Sequence, residues 1–140
     1  MIPSIIARLM DPGTPFRIAG GATDLATVKD APPQTPAVYV FAGSDRSDKD
    51  ESIGRKVRQR STVDISIIIV TSNLAGTHNA AAADDLEELK AFVRGRALGF
   101  VPAGALDPLQ HVEGELQQAV GGTVWFEDVF TTTRYVKENP

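Results

Sequence analysis

The stretch Val57-Arg58-Gln59-Arg60-Ser61-Thr62-Val63-Asp64-Ile65-Ser66-Ile67-Ile68-Ile69-Val70-Thr71-Ser72 decides the fold. Side chains alternate across a strand, so Val63, Ile65, Ile67 and Ile69 share one face. The opposite face starts polar at Asp64 and Ser66 and turns apolar at Ile68 and Val70. Such a gradient describes a strand that leaves an exposed end and enters the middle of a sheet, and the β-branched content suits it. Working backwards, Ala37-Val38-Tyr39-Val40-Phe41-Ala42 is a second run of strand length. Between the two, residues 43–53 are mainly Ser, Asp, Lys and Glu, so the pair reads as a long hairpin with a projecting charged tip.

Upstream, Ile2, Ile5, Ile6 and Leu9 fall on one helical face, and Pro3 is tolerated in a first turn. Residues 11–15 end that helix. A mixed stretch over 16–28 contains the turn signal Gly20-Gly21, with one short helical turn starting at Asp24-Leu25-Ala26. Ala31-Pro32-Pro33-Gln34-Thr35-Pro36 lacks backbone donors at its three prolines and reads as a loop.

Downstream, residues 77–98 carry the main helix, with an apolar stripe of Leu86, Leu89, Phe92 and Val93. Asp84 with Glu87 has capping-box spacing, Asn79 is a rival N-cap, and Gly99 followed by Pro102 supplies the stop. Leu109, Val112, Leu116 and Val120 fit helical spacing, while Val112, Gly114 and Leu116 also fit one face of a strand. Gly114 and the following Gly121-Gly122 favour strand and turn, because residues 123–136 are rich in aromatic and β-branched residues. A second hairpin results. Its last strand loses alternation at Glu127-Asp128, where a bulge is expected. The sum is a single α+β domain over residues 1–140: two layers, with an antiparallel four-stranded sheet packed against one main helix, a short N-terminal helix and the charged hairpin.

The 140 residues are 42% hydrophobic and 23% charged, an ordinary globular composition. A chain of this size buries roughly 65–70% of its unfolded surface and needs no staple. With no Cys, thiol catalysis, thiolate metal sites and disulfides are excluded, which suits a reducing compartment. The net charge of −4 is the wrong sign for a general nucleic-acid binder. No window is apolar over the ~20 residues that span a bilayer, and no signal-peptide pattern is present, so the chain is expected to be soluble, unprocessed and without membrane contact.

Catalytic patterns are absent. His78 and His111 have no second His or Cys at ligand spacing and are expected in surface or structural roles. Ala42-Gly43-Ser44-Asp45 lacks the nucleophile-elbow glycines and following helix, and Gly20-Gly21 lacks the spacing of a phosphate-binding loop. The carboxylates lie on a helix face and in a loop, as solvated charge. No catalytic, cofactor-binding or metal-binding residue is therefore assigned. What stands out is charge segregation: acidic Asp45, Asp48, Asp50 and Glu51 precede basic Arg55, Lys56, Arg58 and Arg60. Charges on an exposed hairpin block edge aggregation. They also suit a self-association device in which the acidic stretch of one subunit meets the basic stretch of the next, or phosphate contact inside a channel.

The order of segments resembles the tail terminator family of long-tailed bacteriophages. The resemblance runs over nearly the whole chain: Met1-Ile2 through Leu9, Gly21-Ala22-Thr23-Asp24-Leu25-Ala26, Thr35-Pro36-Ala37-Val38-Tyr39-Val40, Val57-Arg58-Gln59-Arg60 leading into Val63 to Val70, the Leu86 to Leu98 helix with Gly99-Phe100-Val101-Pro102, Asp107-Pro108-Leu109 with Gly114-Glu115-Leu116, and Val124-Trp125-Phe126-Glu127-Asp128-Val129-Phe130. Phe100 stands where a larger aromatic is expected. The resemblance implies a non-enzymatic virion subunit without cofactor. Six copies, monomeric when free, would form a ring on the head-proximal end of the tail tube, after assembly in the host cytoplasm. Its implied partners are other copies of itself, the major tail tube protein and the head-closure protein, with genomic DNA passing through the channel. A head-closure or neck connector faces similar physical demands and is the alternative.

Overall fold

The computed structural model describes residues 1–50, 56–72 and 79–139, the side chains of 79–84 excepted. Three helices, α1 (Ile2–Leu9), α2 (Ala22–Ala26) and α3 (Asn79–Ala97), accompany five strands. The strands are β1 (Ile18–Gly20), β2 (Ala37–Ser47), β3 (Arg58–Ser72), β4 (Gln110–Val120) and β5 (Thr123–Lys137). They form one sheet in the order β1-β2-β3-β5-β4, so the long isoleucine-rich strand is central as its pattern requires. The expected four antiparallel strands are present, but the sheet has a fifth. Strand β1 pairs with β2 in parallel, Ile18 opposite Ala37. Three residues are too few to show alternation, and a parallel partner is reached only through a crossover, here by way of α2.

Strands β2 and β3 pair antiparallel from Ala37↔Val70 to Ser47↔Ser61, with a register shift between Ala42 and Ser44. The projection expected for the tip of this hairpin depends on residues 51–55, which lie outside the described residues. Helices α1 and α3 cover one face. There Val63, Ile65, Ile67 and Ile69 meet Ile5, Leu9, Leu89 and Val93 in the main core. Each fully buried aliphatic side chain contributes about 1.5–3 kcal/mol. On α3, Leu89 and Val93 are buried as the stripe predicts, while Leu86 and Phe92 only border the core. The two-layer expectation is also incomplete, because Leu25 and Val28 cover Tyr39, Ile68, Val70 and Trp125 on the other face.

Strand β5 runs beside β3 without a register shift from Arg58↔Lys137 to Ser72↔Thr123, so the bulge expected at Glu127-Asp128 does not exist. Phe126, Asp128, Phe130 and Thr132 keep strict alternation and are all buried. The pattern is broken chemically, by an aspartate on the inward face, and not geometrically. The register shifts lie instead in β4, between His111 and Glu113 and between Leu116 and Gln118. Strands β4 and β5 are joined by Gly121 and Gly122, both at positive φ (61° and 80°). That is the backbone of a tight hairpin turn, which glycine adopts without steric cost.

Candidate functional site

The charged hairpin was expected to gather Asp45, Asp48, Asp50, Glu51, Arg55, Lys56, Arg58 and Arg60 into one interface. Glu51 and Arg55 lie outside the described residues. The others do not form a single cluster. Asp45 pairs across the sheet with Arg134 at 3.6 Å. The Asp48 backbone N–H donates to the Arg60 carbonyl at 2.7 Å, and the Gln59 amide donates to the Asp48 carbonyl at 2.9 Å, which extends the hairpin by one residue. Asp50 also interacts within the chain. Arg60 donates to Asp107 Oδ2 at 2.6 Å, and the same oxygen accepts the Thr133 hydroxyl at 2.6 Å. That hydroxyl, with Arg60 reinforcing it, holds the Asp107 carboxyl below its ordinary value. Asp107 thereby ties the loop before β4 to the stretch of β5 beyond its pairing with β4, where the Leu106 N–H also donates to the Thr133 carbonyl.

Two cations remain turned to solvent: Lys56, and Arg58, whose guanidinium lies 4.4 Å over the Tyr135 ring. Arg58 stands opposite Lys137 in the β3–β5 ladder. Exposed Val57 and Val136 accompany them. This end of the ladder thus carries Arg58, Tyr135 and Lys137 on one face and Val136 on the other, with the Glu138 carboxylate accepting the Val57 N–H at 2.7 Å. A second exposed surface lies at the opposite corner, on β4, every residue of which is exposed.

One polar cluster was invisible to the pattern reading. Asp128 is fully buried, and Arg94 of α3 grips it with two bonds, Nε to Oδ2 and Nη2 to Oδ1, each 3.0 Å. His111 Nε2 lies 2.6 Å from the same Oδ1, and its ring stacks edge-on against Phe130. The bond to Asp128 raises the Arg94 pKa further above its ordinary value. Gly114 stands opposite Asp128 in the β4–β5 ladder, and a Cβ there would lie 2.7 Å from the Phe126 ring. The cluster locks α3 to β4 and β5, because a buried carboxylate demands its partners. The expected structural role of His111 is what the geometry shows, whereas His78 lies outside the described residues. The signal for Asp128 was present in its parity with Phe126 and Phe130.

An aspartate and a histidine within hydrogen-bonding distance are two parts of a hydrolytic triad. The third is missing: among the described residues the His111 ring has no hydrogen bond except that to Asp128. No group of three His, Asp or Glu among the described residues could hold a metal. A cleft of about 500 Å³ between the start of β2, the end of β3 and α3 is lined by Pro36, Thr71, Asp85 and Leu89, among others. Its hydroxyls, Thr35, Thr71 and Ser72, make no hydrogen bond to its carboxylates, Asp85 and Glu88, among the described residues. No helix among the described residues is long and apolar enough to cross a membrane.

A family model described as the phage tail terminator protein matches residues 2–140. The chain belongs to the phage tail terminator family. Membership makes this tail terminator homologue a structural protein of the phage tail, in agreement with the resemblance read from segment order. A chain from the virion of a native gene transfer agent particle has the same fold, with a TM-score of 0.52 at 17% identity over 84% of this chain and 78% of that one. A search of curated proteins returned no match.

Proposed function

We propose that the protein caps the head-proximal end of the tail tube as a six-fold ring. In that position it stops tube polymerisation, presents the surface that joins the head, and catalyses no reaction. The family match across residues 2–140 carries this reading. The described structure supports it physically. A capping ring needs a rigid subunit with chemically different exposed surfaces, because head-to-tail contacts close rings whereas self-complementary ones make dimers. This subunit has a basic apolar end and an exposed β4 edge on opposite corners of one sheet. The major tail tube protein and the head-closure protein are the proposed partners, and genomic DNA would pass through the ring.

The test is removal of the protein from its parent phage, with tail lengths measured by negative-stain electron microscopy. Overlong tubes without heads are expected. Tails of normal length that fail to join heads would instead make the protein a neck connector, and complete particles would refute both roles.

A further inference from the structure

We propose that β4 of one copy docks on the basic apolar end of the β3–β5 ladder of the next, and that this head-to-tail contact is the lateral interface of the ring. The inference rests on the ring reading above and assigns its surfaces. Strand β4 is eleven residues long, carries no Lys, Arg or Pro, and pairs only with β5 among the described residues. Its register shifts bend it but leave Val112, Leu116 and Val120 50%, 52% and 65% exposed. A long edge with apolar side chains in water is a template for another chain unless something covers it. At the opposite edge of the sheet, β1 is only three residues long.

Charge selects the occupant. Glu113 and Glu115 sit among these apolar residues and have no ion pair among the described residues. At the other end, Val57, Tyr135 and Val136 are 47%, 38% and 43% exposed beside Lys56, Arg58 and Lys137. None of these three cations forms an ion pair among the described residues, and the one carboxylate at this end, Glu138, is bound to the Val57 N–H at 2.7 Å. On the face away from α3, Glu113 and Glu115 of one edge match Arg58, Tyr135 and Lys137 of the other end, and on the α3 face Leu116 matches Val136, so the two regions are complementary in charge on one face and apolar on the other. The two cannot meet within one chain. Leu116 is opposite Phe126, ten residues along β5 from Val136, a separation of about 33 Å at the rise of a strand. Two β4 strands meeting antiparallel at mid-strand would bring Glu115 against Glu115, and like charges directly opposite are destabilising. A heterologous contact avoids that juxtaposition, and its repetition around an axis closes a ring.

The cysteine-free chain permits a clean test. Single variants Leu116→Cys and Val136→Cys are treated with a short bis-maleimide, alone and mixed, both as purified protein at millimolar concentration and in assembled tails. We expect no product from either variant alone, dimers from the mixture, and a ladder ending in a closed species from the double variant. Dimers from Leu116→Cys alone would show an isologous edge and overturn the proposal. So would the absence of product in both preparations. Adding Glu113→Lys and Glu115→Lys to the Leu116→Cys partner should lower the mixed yield at least tenfold. Arg58→Glu with Lys137→Glu in the other partner should restore it. All these positions are exposed, and a thermal melt of each variant checks its fold. Tail length in the deletion reads separately. Overlong tubes with no cross-link would remove this interface and keep the capping role, whereas a ladder with normal tails would do the reverse.

Discussion

Replacing Arg94 by Met tests the strongest energetic consequence of the structure. The variant keeps much of the aliphatic bulk of Arg94 but removes both bonds to Asp128, whose side chain is fully buried. Removing one partner of a buried pair costs about 3–5 kcal/mol, because the remaining charge stays desolvated. His111 still contacts Oδ1, and Arg94 itself is one-third exposed, so the lower figure applies. At ~2.1 cal/mol/K of unfolding entropy per residue, 140 residues give about 0.3 kcal/mol/K, and a loss of ~3 kcal/mol lowers Tm by about 10 °C. The assay is urea and thermal unfolding of wild type, Arg94→Met, Asp128→Asn and the double variant. Since a neutral amide tolerates burial better than a carboxylate, Arg94→Met should cost less than half as much in the Asp128→Asn background. A single-variant loss below about 0.5 kcal/mol, or the same loss in both backgrounds, would refute the view that Arg94 neutralises a buried charge.

Three further outcomes follow from packing and protonation. Gly114→Ala places a Cβ against Phe126, whose ring is backed by Lys90 at 4.4 Å, and should cost about 1–3 kcal/mol by overpacking, measured as a Tm shift. Leu89→Ala removes a core side chain and should cost about 2–5 kcal/mol, while Leu86→Ala, at the border of the core, should cost less than half as much in urea unfolding. The Asp107 carboxyl is held below 3.8, so its stabilisation is present above the unfolded pKa and is lost as pH falls through the lower folded value. Thr133→Val should move the Asp107 titration upward and start the acid loss of stability at higher pH, read by carboxyl NMR and by melts on the acid side of pH 4.

The central hairpin was legible because periodicity in β3 reports directly which side faces the core. The parity of Val63, Ile65, Ile67 and Ile69 survives intact in the sheet. Helix α3 was legible for the same reason at Leu89 and Val93, yet Phe92 falls at the border of the core, where it meets Phe16 edge-on. What failed were features whose cause is non-local. Strand β1 is defined by parallel partners nineteen residues away, and nothing within three residues announces that. Asp128 broke a hydrophobic pattern that its backbone continues, because its partner Arg94 comes from a helix 34 residues earlier. A charged residue at an inward position thus has two meanings, a bulge or a buried ion pair, and only a cation on the facing layer separates them.

The same reasoning bears on which charges are proposed for assembly. Read in one dimension, the acidic and basic halves of the β2–β3 hairpin look made for two neighbouring subunits. In three dimensions Asp45 reaches Arg134 and Arg60 reaches Asp107 in the same chain, both pairs on the surface. Exposed pairs of this kind contribute about 0–1 kcal/mol, so they can be exchanged for intermolecular partners, but nothing drives the exchange. Charges without partners have no such competition. On β4 the acids Glu113 and Glu115 flank Gly114, the residue that admits Arg94 to Asp128. The inward side of that segment is thereby fixed to α3 while its edge stays free. A strand that is rigidly anchored on one side and without a partner on its outer edge loses little entropy on docking, since preorganisation is what lowers the cost of association. Arg94→Met should therefore weaken the Leu116–Val136 cross-link even at temperatures where the variant is fully folded, although Arg94 lies on neither surface. An undiminished cross-link would mean that the anchor and the edge are independent.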